Sequence, residues 1–355
     1  MTNALKKAIE IGFDKRQKPS GFLANLFEKK QLKTIKVQIQ GRAVKAVYAV
    51  DVKTGTGGRR FELSQHDSKD IVIPEYNEYT TLGEVDMFKC QLGESETTQT
   101  MANIANLVND NQEVAADMIR RSENKQAADA IFQGEITLAD GSKIEFNKKA
   151  THDIDCTNKK WDVDSNNPLT QISNACDLIR TDGKTQIHSF MLICSDKALT
   201  ALLGNANVKG SSNWNNGIKR SDINIPEEKT IGGLFHGRLT CGTDIVDVWS
   251  CNEKYEIPEG FNFAGEGTSV PYIPDGAIAL VPLKPNFKRY YGALNDVNSK
   301  GMLGGAKLQL VEKEQVAYAY DKVNGGSVVT EVGVKSRVVC VPVGVDELVT
   351  FKNVV

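Results

Sequence analysis

Only a few short stretches of this chain combine residue types that could do chemistry. In Val52-Lys53-Thr54-Gly55-Thr56-Gly57-Gly58-Arg59-Arg60-Phe61, three glycines stand beside two arginines, the ingredients of a phosphate cradle. A cradle needs a strand, a glycine turn and then a helix whose free N–H groups point at the anion. Here Phe61 and Leu63 alternate with Arg60, Glu62 and Ser64, so the chain leaves as a second strand. His152 and Cys156 stand four apart and would share one face of a helix, but two ligands do not make a metal site. Asp162-Val163-Asp164-Ser165-Asn166-Asn167 begins like a calcium loop, yet Asn167 replaces the turn glycine and Ser173 the bidentate glutamate. It reads instead as an Asx-rich turn ahead of a helix. His66, His152, His188 and His236 are far apart, and no H-E-x-x-H, C-x-x-C or G-x-S-x-G occurs. The carboxylate pairs Asp244/Asp247 and Glu312/Glu314 are of a kind that any surface carries. The expectation is a protein with no catalytic residues, no cofactor and no metal.

The elements around these stretches are more informative. Val44, Ala46, Tyr48, Val50 and Val52 recur at every second position, as do Ile35, Val37 and Ile39, and Ile71-Val72-Ile73-Pro74 closes the returning side. The glycine stretch is therefore the tip of a long β-hairpin. Leu5 to Phe13 forms a short helix-like arm, interrupted by the basic segment KRQKPSG, and Phe22-Leu23 with Leu26-Phe27 suits a helical turn that docks on something. From about Ser95 to Phe132, Met101, Ile104, Val108, Ala115, Met118 and Ile131 recur at threes and fours, and Gly134 marks the end. That predicts a helix about 55 Å long. Its narrow apolar stripe suits a spine lying on a sheet.

From Asn166 to about Leu283 helix and strand alternate. Asn167-Pro168 opens one helix, Ile187 to Cys194 is a buried strand, and Ser195-Asp196 caps a second helix that Gly204 ends. Asp244 to Trp249 and Gly276 to Val281 read as strands, and 307–355 as mostly short strands with a turn at Asn324-Gly325-Gly326.

Length and charge bound the function. The 355 residues suggest two interleaved domains, and 43 Lys and Arg against 45 Asp and Glu leave a formal charge of −2, without the basic excess of a dedicated nucleic-acid binder. Seven scattered cysteines suit free thiols in a reducing compartment, and no apolar run is long enough to span a membrane. The reading is of a chain made without export.

The order of arm, long hairpin, spine helix, mixed insertion and return strands resembles the major capsid proteins of tailed bacteriophages. Within that group the chain is similar to the lambda-type major head protein, the capsid protein E family. The resemblance runs from about Phe22 to Val355 on FLANLFEKKQLKTIKVQIQG (22–41), ADAIFQGEITLADG (128–141), YIPDGAIALVP (272–282) and VVCVPVGVDELVTFKNVV (338–355).

It implies an α+β fold of the HK97 type: an N-terminal arm at 1–41, an extended hairpin loop at 42–86, a peripheral domain with the spine helix at 87–165, an α/β axial domain at 166–301, and return strands of the peripheral domain at 302–355. It also implies a structural protein of the virion, assembled in the host cytoplasm as hexamers and pentamers around double-stranded DNA that it contacts non-specifically. Implied partners are a separate scaffolding protein, a portal protein and a decoration protein that takes the place of a covalent link from Lys53 or Lys69 to Asn353. Contacts between subunits would fall on Gly55, Gly57, Gly58, Arg59, Arg60 and Phe61 at the loop tip and on Phe22, Leu23, Leu26 and Phe27 in the arm. The alternatives are an encapsulin-like nanocompartment shell and a two-domain α/β enzyme with its pocket in 166–301.

Overall fold

The computed structural model describes residues 21–41, 67–82, 98–210, 227–228, 233–260, 265–295, 310–311, 313–324 and 327–355. One helix, Thr98–Phe132, organises much of it. Its 35 residues contain neither Pro nor Gly, and at about 1.5 Å per residue it is roughly 52 Å long. It ends where the chain turns through Gly134, held left-handed at φ +74°, whose N–H donates to the Asp129 carbonyl at 3.1 Å. Val108, Ala115, Ala116 and Ile119 face a sheet through Val332, Val334 and Tyr76.

The expected stripe is only partly right. Met118 and Val114 are 47% and 59% exposed, whereas the polar Gln112, Glu123, Asn124 and Gln126 are buried. The last turns, from Gln126 to Phe132, are buried on every side, so this end is a core element and the other end a surface one.

That sheet has five strands. Ser327–Pro342, 16 residues long, pairs antiparallel with Phe287–Tyr291, Val316–Asn324 and Glu75–Leu82, and Glu28–Gln31 adds parallel to Phe287–Tyr291. Where short strands are expected after the turn at 324–326, Ser327–Pro342 is one long strand, and only the last, Val349–Lys352, is short. Gly333 sits at its middle, because Tyr318 lies across it with its hydroxyl donating to Asn77 Oδ1 at 2.8 Å.

A second sheet of seven strands runs Asp153–Asp155, Val349–Lys352, Ile278–Pro282, Ser189–Cys194, Asp244–Ser250, Leu234–Cys241 and Glu227–Glu228. Ser189–Cys194 is buried along nearly its whole length, as its unbroken apolar run predicts. Helices Pro168–Gly183 and Asp196–Gly204 cover this sheet through Ile172, Cys176, Ile179, Leu199 and Leu202. Both start as the sequence indicates: the Asn167 side chain accepts from the Leu169 N–H at 3.0 Å, and Ser195 Oγ from the Ala198 N–H at 3.4 Å.

The two sheets cut across the expected segments. Phe287–Tyr291 lies with the spine-helix sheet, while Asp153–Asp155 and Val349–Lys352 lie in the sheet of the insertion. The hairpin base is present as an antiparallel ribbon, Lys36–Gly41 with Asp67–Val72, whose Val37 and Ile71 join the core. Its tip lies outside the described residues.

Candidate functional site

The expected arm contacts fall on a single turn, Phe22–Asn25, and the residues after it. Phe22, Leu23 and Phe27 are fully buried in their own chain: Phe22 stacks on Trp249 at 5.7 Å and Phe27 meets Phe287 at 4.9 Å. Leu26 packs against the same core. Their apolar spacing serves the subunit's own core, and a side chain without exposed area has none to offer a neighbour. The spine helix secures this turn, since Asn124 Oδ1 accepts from the Ala24 N–H at 3.1 Å and Asn124 Nδ2 donates to Glu253 at 3.1 Å. The loop-tip residues Gly55, Gly57, Gly58, Arg59, Arg60 and Phe61 lie outside the described residues.

The stretches that resembled chemical sites have structural employment. In the calcium-like turn, Asn205 Nδ2 reaches the carbonyls of Trp161, Val163 and Asn166 at 3.0, 3.2 and 3.1 Å, and Asn207 Nδ2 that of Asp164 at 2.7 Å. Two amides therefore hold the turn by its backbone carbonyls, and Asp164 Oδ1 accepts from the Ala206 N–H at 2.8 Å. His152 and Cys156 lie on a short turn and at a strand end rather than on one helix. His152 is buried between the Leu348 carbonyl and the Asp182 carboxylate, each 2.9 Å from a ring nitrogen. Burial pushes the Cys156 thiol up to about 11, unsuited to a thiolate ligand. Among the described residues no group of three or more His, Cys, Asp or Glu could hold a metal ion.

The carboxylates are paired off in the same way. Asp244 takes Arg180 at 2.5 Å and His188 at 3.2 Å, and Asp247 takes Arg238 at 2.6 Å. Glu314 takes Lys29 at 2.6 Å. A further network has no local signature in the sequence: Glu123 on the spine helix accepts from Arg289 Nη1 at 3.0 Å and from the Tyr291 hydroxyl at 3.2 Å, all of it buried. Only the arginine at a core-facing strand position could have hinted at it.

What the surface offers instead is length and edge. Glu75–Leu82 is an eight-residue strand with no Pro and no register shift, and among the described residues nothing pairs with its outer side. Such an edge is a template for another chain. Val316–Asn324, nine residues, is a second long edge on the other side of Ser327–Pro342; the remaining sheet edges are short, Glu28–Gln31 with two lysines, Asp153–Asp155 and Glu227–Glu228.

Comparison with known proteins places this architecture. The solved structure assigned as a prophage capsid protein of E. coli CFT073 superposes with a TM-score of 0.66 at 15% identity, over 99% of this chain and 98% of that one. A phage-related protein from Bordetella bronchiseptica RB50 gives 0.51 at 12% identity over 99% and 97%, and the capsid of a native GTA particle 0.50 at 11% over 95% and 91%. These likenesses carry the fold, the HK97-type capsid architecture. No curated protein matches in sequence. The model of the family described as phage major capsid protein E matches residues 3–321, nearly the whole chain, and the protein therefore belongs to that family of structural shell proteins.

Proposed function

We infer that this phage major capsid protein assembles as hexamers and pentamers into a closed icosahedral shell around a double-stranded DNA genome. The family match over residues 3–321 is the observation that carries the reading. The base of the loop, the ribbon Lys36–Gly41 with Asp67–Val72, packs Val37 and Ile71 into the subunit's own core, and a two-stranded ribbon carried beyond that core is marginal unless it packs on something else. On this reading 42–86 is the extended loop, and Gly55, Gly57, Gly58, Arg59, Arg60 and Phe61 at its tip lie on the neighbouring subunit. The arginines pair with carboxylates there, which sets register more than affinity.

The arm at 1–41, the peripheral domain at 87–165 with return strands at 302–355, and the axial domain at 166–301 complete the assignment, with Phe287–Tyr291 lent to the peripheral sheet and Asp153–Asp155 and Val349–Lys352 to the axial one. Assembly takes place in the host cytoplasm, guided by a separate scaffolding protein and a portal, and a decoration protein reinforces the finished shell in the virion. The formal charge of −2 fits a wall that touches packed DNA without adhering to it.

Negative-stain electron microscopy with sedimentation tests this, on the protein alone and with its scaffold. Closed shells, or capsomers poised to form them, are expected; a monomer under every condition would overturn it. Gly57→Pro with Gly58→Pro is expected to leave subunit folding intact and to block normal shells, and normal mature shells from this variant would remove the role of the tip.

A further inference from the structure

The spine helix carries a polar row on the side away from its sheet, with Asn106 and Asp110 exposed and Glu113 and Asp117 half-buried. Asn106, Asp110, Glu113 and Asp117 follow one another at spacings of four, three and four, one row along a helix. Beside the row stand Val114 and Met118, 59% and 47% exposed and four apart, an apolar pair on the solvent side of a helix whose core-facing side holds polar residues. Between Ile104 and Met118 the charged residues are all acidic: Asp110, Glu113 and Asp117. Asp117 also holds Arg120 at 2.7 Å.

Two turns beyond Asp117 along the same direction, the buried Asn124 marks the point where the amino-terminal chain joins the described part of the molecule. Gly21 lies against Asn124, so closely that a Cβ on it would stand 2.7 Å from Asn124 Cγ, and the same Asn124 caps the turn that follows. Residues 1–20 precede this point. They carry five basic side chains, Lys6, Lys7, Lys15, Arg16 and Lys18, against two acidic ones, Glu10 and Asp14. Leu5, Ile9 and Phe13 recur at fours, the spacing that meets an apolar pair at i and i+4. The reach suffices: residues 14–20 span up to about 24 Å when extended, while Val114 lies about 15 Å along the helix from Asn124.

We propose that residues 1–20 of each subunit dock on that subunit's own spine helix, with Leu5, Ile9 and Phe13 on Val114 and Met118 and the lysines along Asp110, Glu113 and Asp117. Attachment at Gly21 makes the encounter intramolecular, so its effective concentration exceeds that of any free partner. The inference concerns the subunit itself and holds whether or not the shell reading does.

Crosslinking tests it on the full-length chain. In a Cys90→Ser background, where the six remaining thiols are buried, Ile9→Cys with Met118→Cys is treated with a short bismaleimide, using mixed 15N-labelled and unlabelled subunits. The expected result is a 9–118 crosslink in peptides of uniform label, well above that from Ile9→Cys with Val163→Cys. Hybrid-label peptides would assign the surface to a second copy and overturn docking within one chain. Absence of the crosslink in a chain with unchanged circular dichroism would overturn the surface altogether.

A second variant reads the charge. Asp110→Lys with Glu113→Lys is expected to raise trypsin cleavage at Lys15 and Arg16 at least about tenfold, the factor that a free-energy change of about 1.4 kcal/mol produces. Adding Lys6→Glu and Lys7→Glu is expected to reverse that increase. Cleavage rates that ignore both charge changes would refute the electrostatic part of the proposal.

Discussion

Arg289 and Glu123 form an ion pair at 3.0 Å with their side chains only 1% and 3% exposed, and it ties the strand Phe287–Tyr291 to the spine helix. Burial pushes the Glu123 carboxyl up, against the pull of Arg289 and the Tyr291 hydroxyl. Removing one partner strands a charge, so Arg289→Met is expected to cost about 3–5 kcal/mol. Adding Glu123→Leu should recover most of that loss, because an apolar pair avoids desolvating two ions. Urea unfolding of the unassembled subunit measures both, and a double variant no more stable than Arg289→Met would refute the account.

Gly333 has no room for a side chain. A Cβ there would stand 2.6 Å from the Glu78 carbonyl oxygen and 2.7 Å from the Tyr318 hydroxyl. Gly333→Ala is expected to destabilise by about 1–3 kcal/mol as an overpacking change. Tyr318→Phe added to it should relieve only part, since the Glu78 carbonyl is backbone and cannot withdraw. Full recovery in thermal melts of the double variant would show that the hydroxyl alone made the clash.

Asp153 sets an acid limit on the subunit. Its burial disfavours ionisation, but hydrogen bonds from Lys148 at 2.5 Å, Lys352 at 2.8 Å and Thr350 at 2.5 Å outweigh that and hold its carboxyl down to about 2. A depressed carboxyl stabilises the fold above its unfolded value of about 3.9 and loses that contribution as pH falls toward its folded one. Asp153→Asn is expected to lower stability at neutral pH and to flatten its decline between about pH 4 and pH 2. An unchanged acid slope would rule out this carboxylate as the cause.

Asn205 is expected to matter more than the turn it serves. Its amide satisfies three carbonyls of residues 161–166, so Asn205→Ala should cost about 1–3 kcal/mol through unsatisfied backbone groups. Millimolar calcium should leave the melting temperature of the unaltered protein unchanged. A calcium-dependent rise would show that the acidic turn binds the ion after all.

Much of this architecture is legible in the sequence wherever a local rule and the tertiary packing agree. Asn167 and Ser195 open their helices, Gly134 ends the spine, and the run to Cys194 is a buried strand, because caps and periodicity act over a few residues. The spine's orientation was not legible: Glu123, Asn124 and Gln126 look inward to satisfy Arg289, Gly21 and its neighbours, and Cys340, while Met118 looks out. Ser327–Pro342 was broken into short strands because Gly333, Lys335 and Arg337 interrupt its apolar pattern, and each is there for a cross-strand partner. The spacing of Phe22, Leu23 and Phe27 identifies an apolar face without saying whose core it enters; the resemblance implies a neighbour's, and the fold buries them in their own. Sheet membership was the least accessible, since Val349–Lys352 finds its partners only in three dimensions.

That last strand has a consequence for synthesis. Val349–Lys352 lies between Asp153–Asp155 and Ile278–Pro282, next to one edge of the seven-stranded sheet, so the edge strand Asp153–Asp155 has no partner until it is translated. Thr350 meets Asp153 across 197 residues of chain, which at ribosomal speed is a wait of roughly 10–40 s. Until then the nascent subunit lacks a finished core in that layer. An early-made edge strand is thus completed only by the last residues to leave the ribosome.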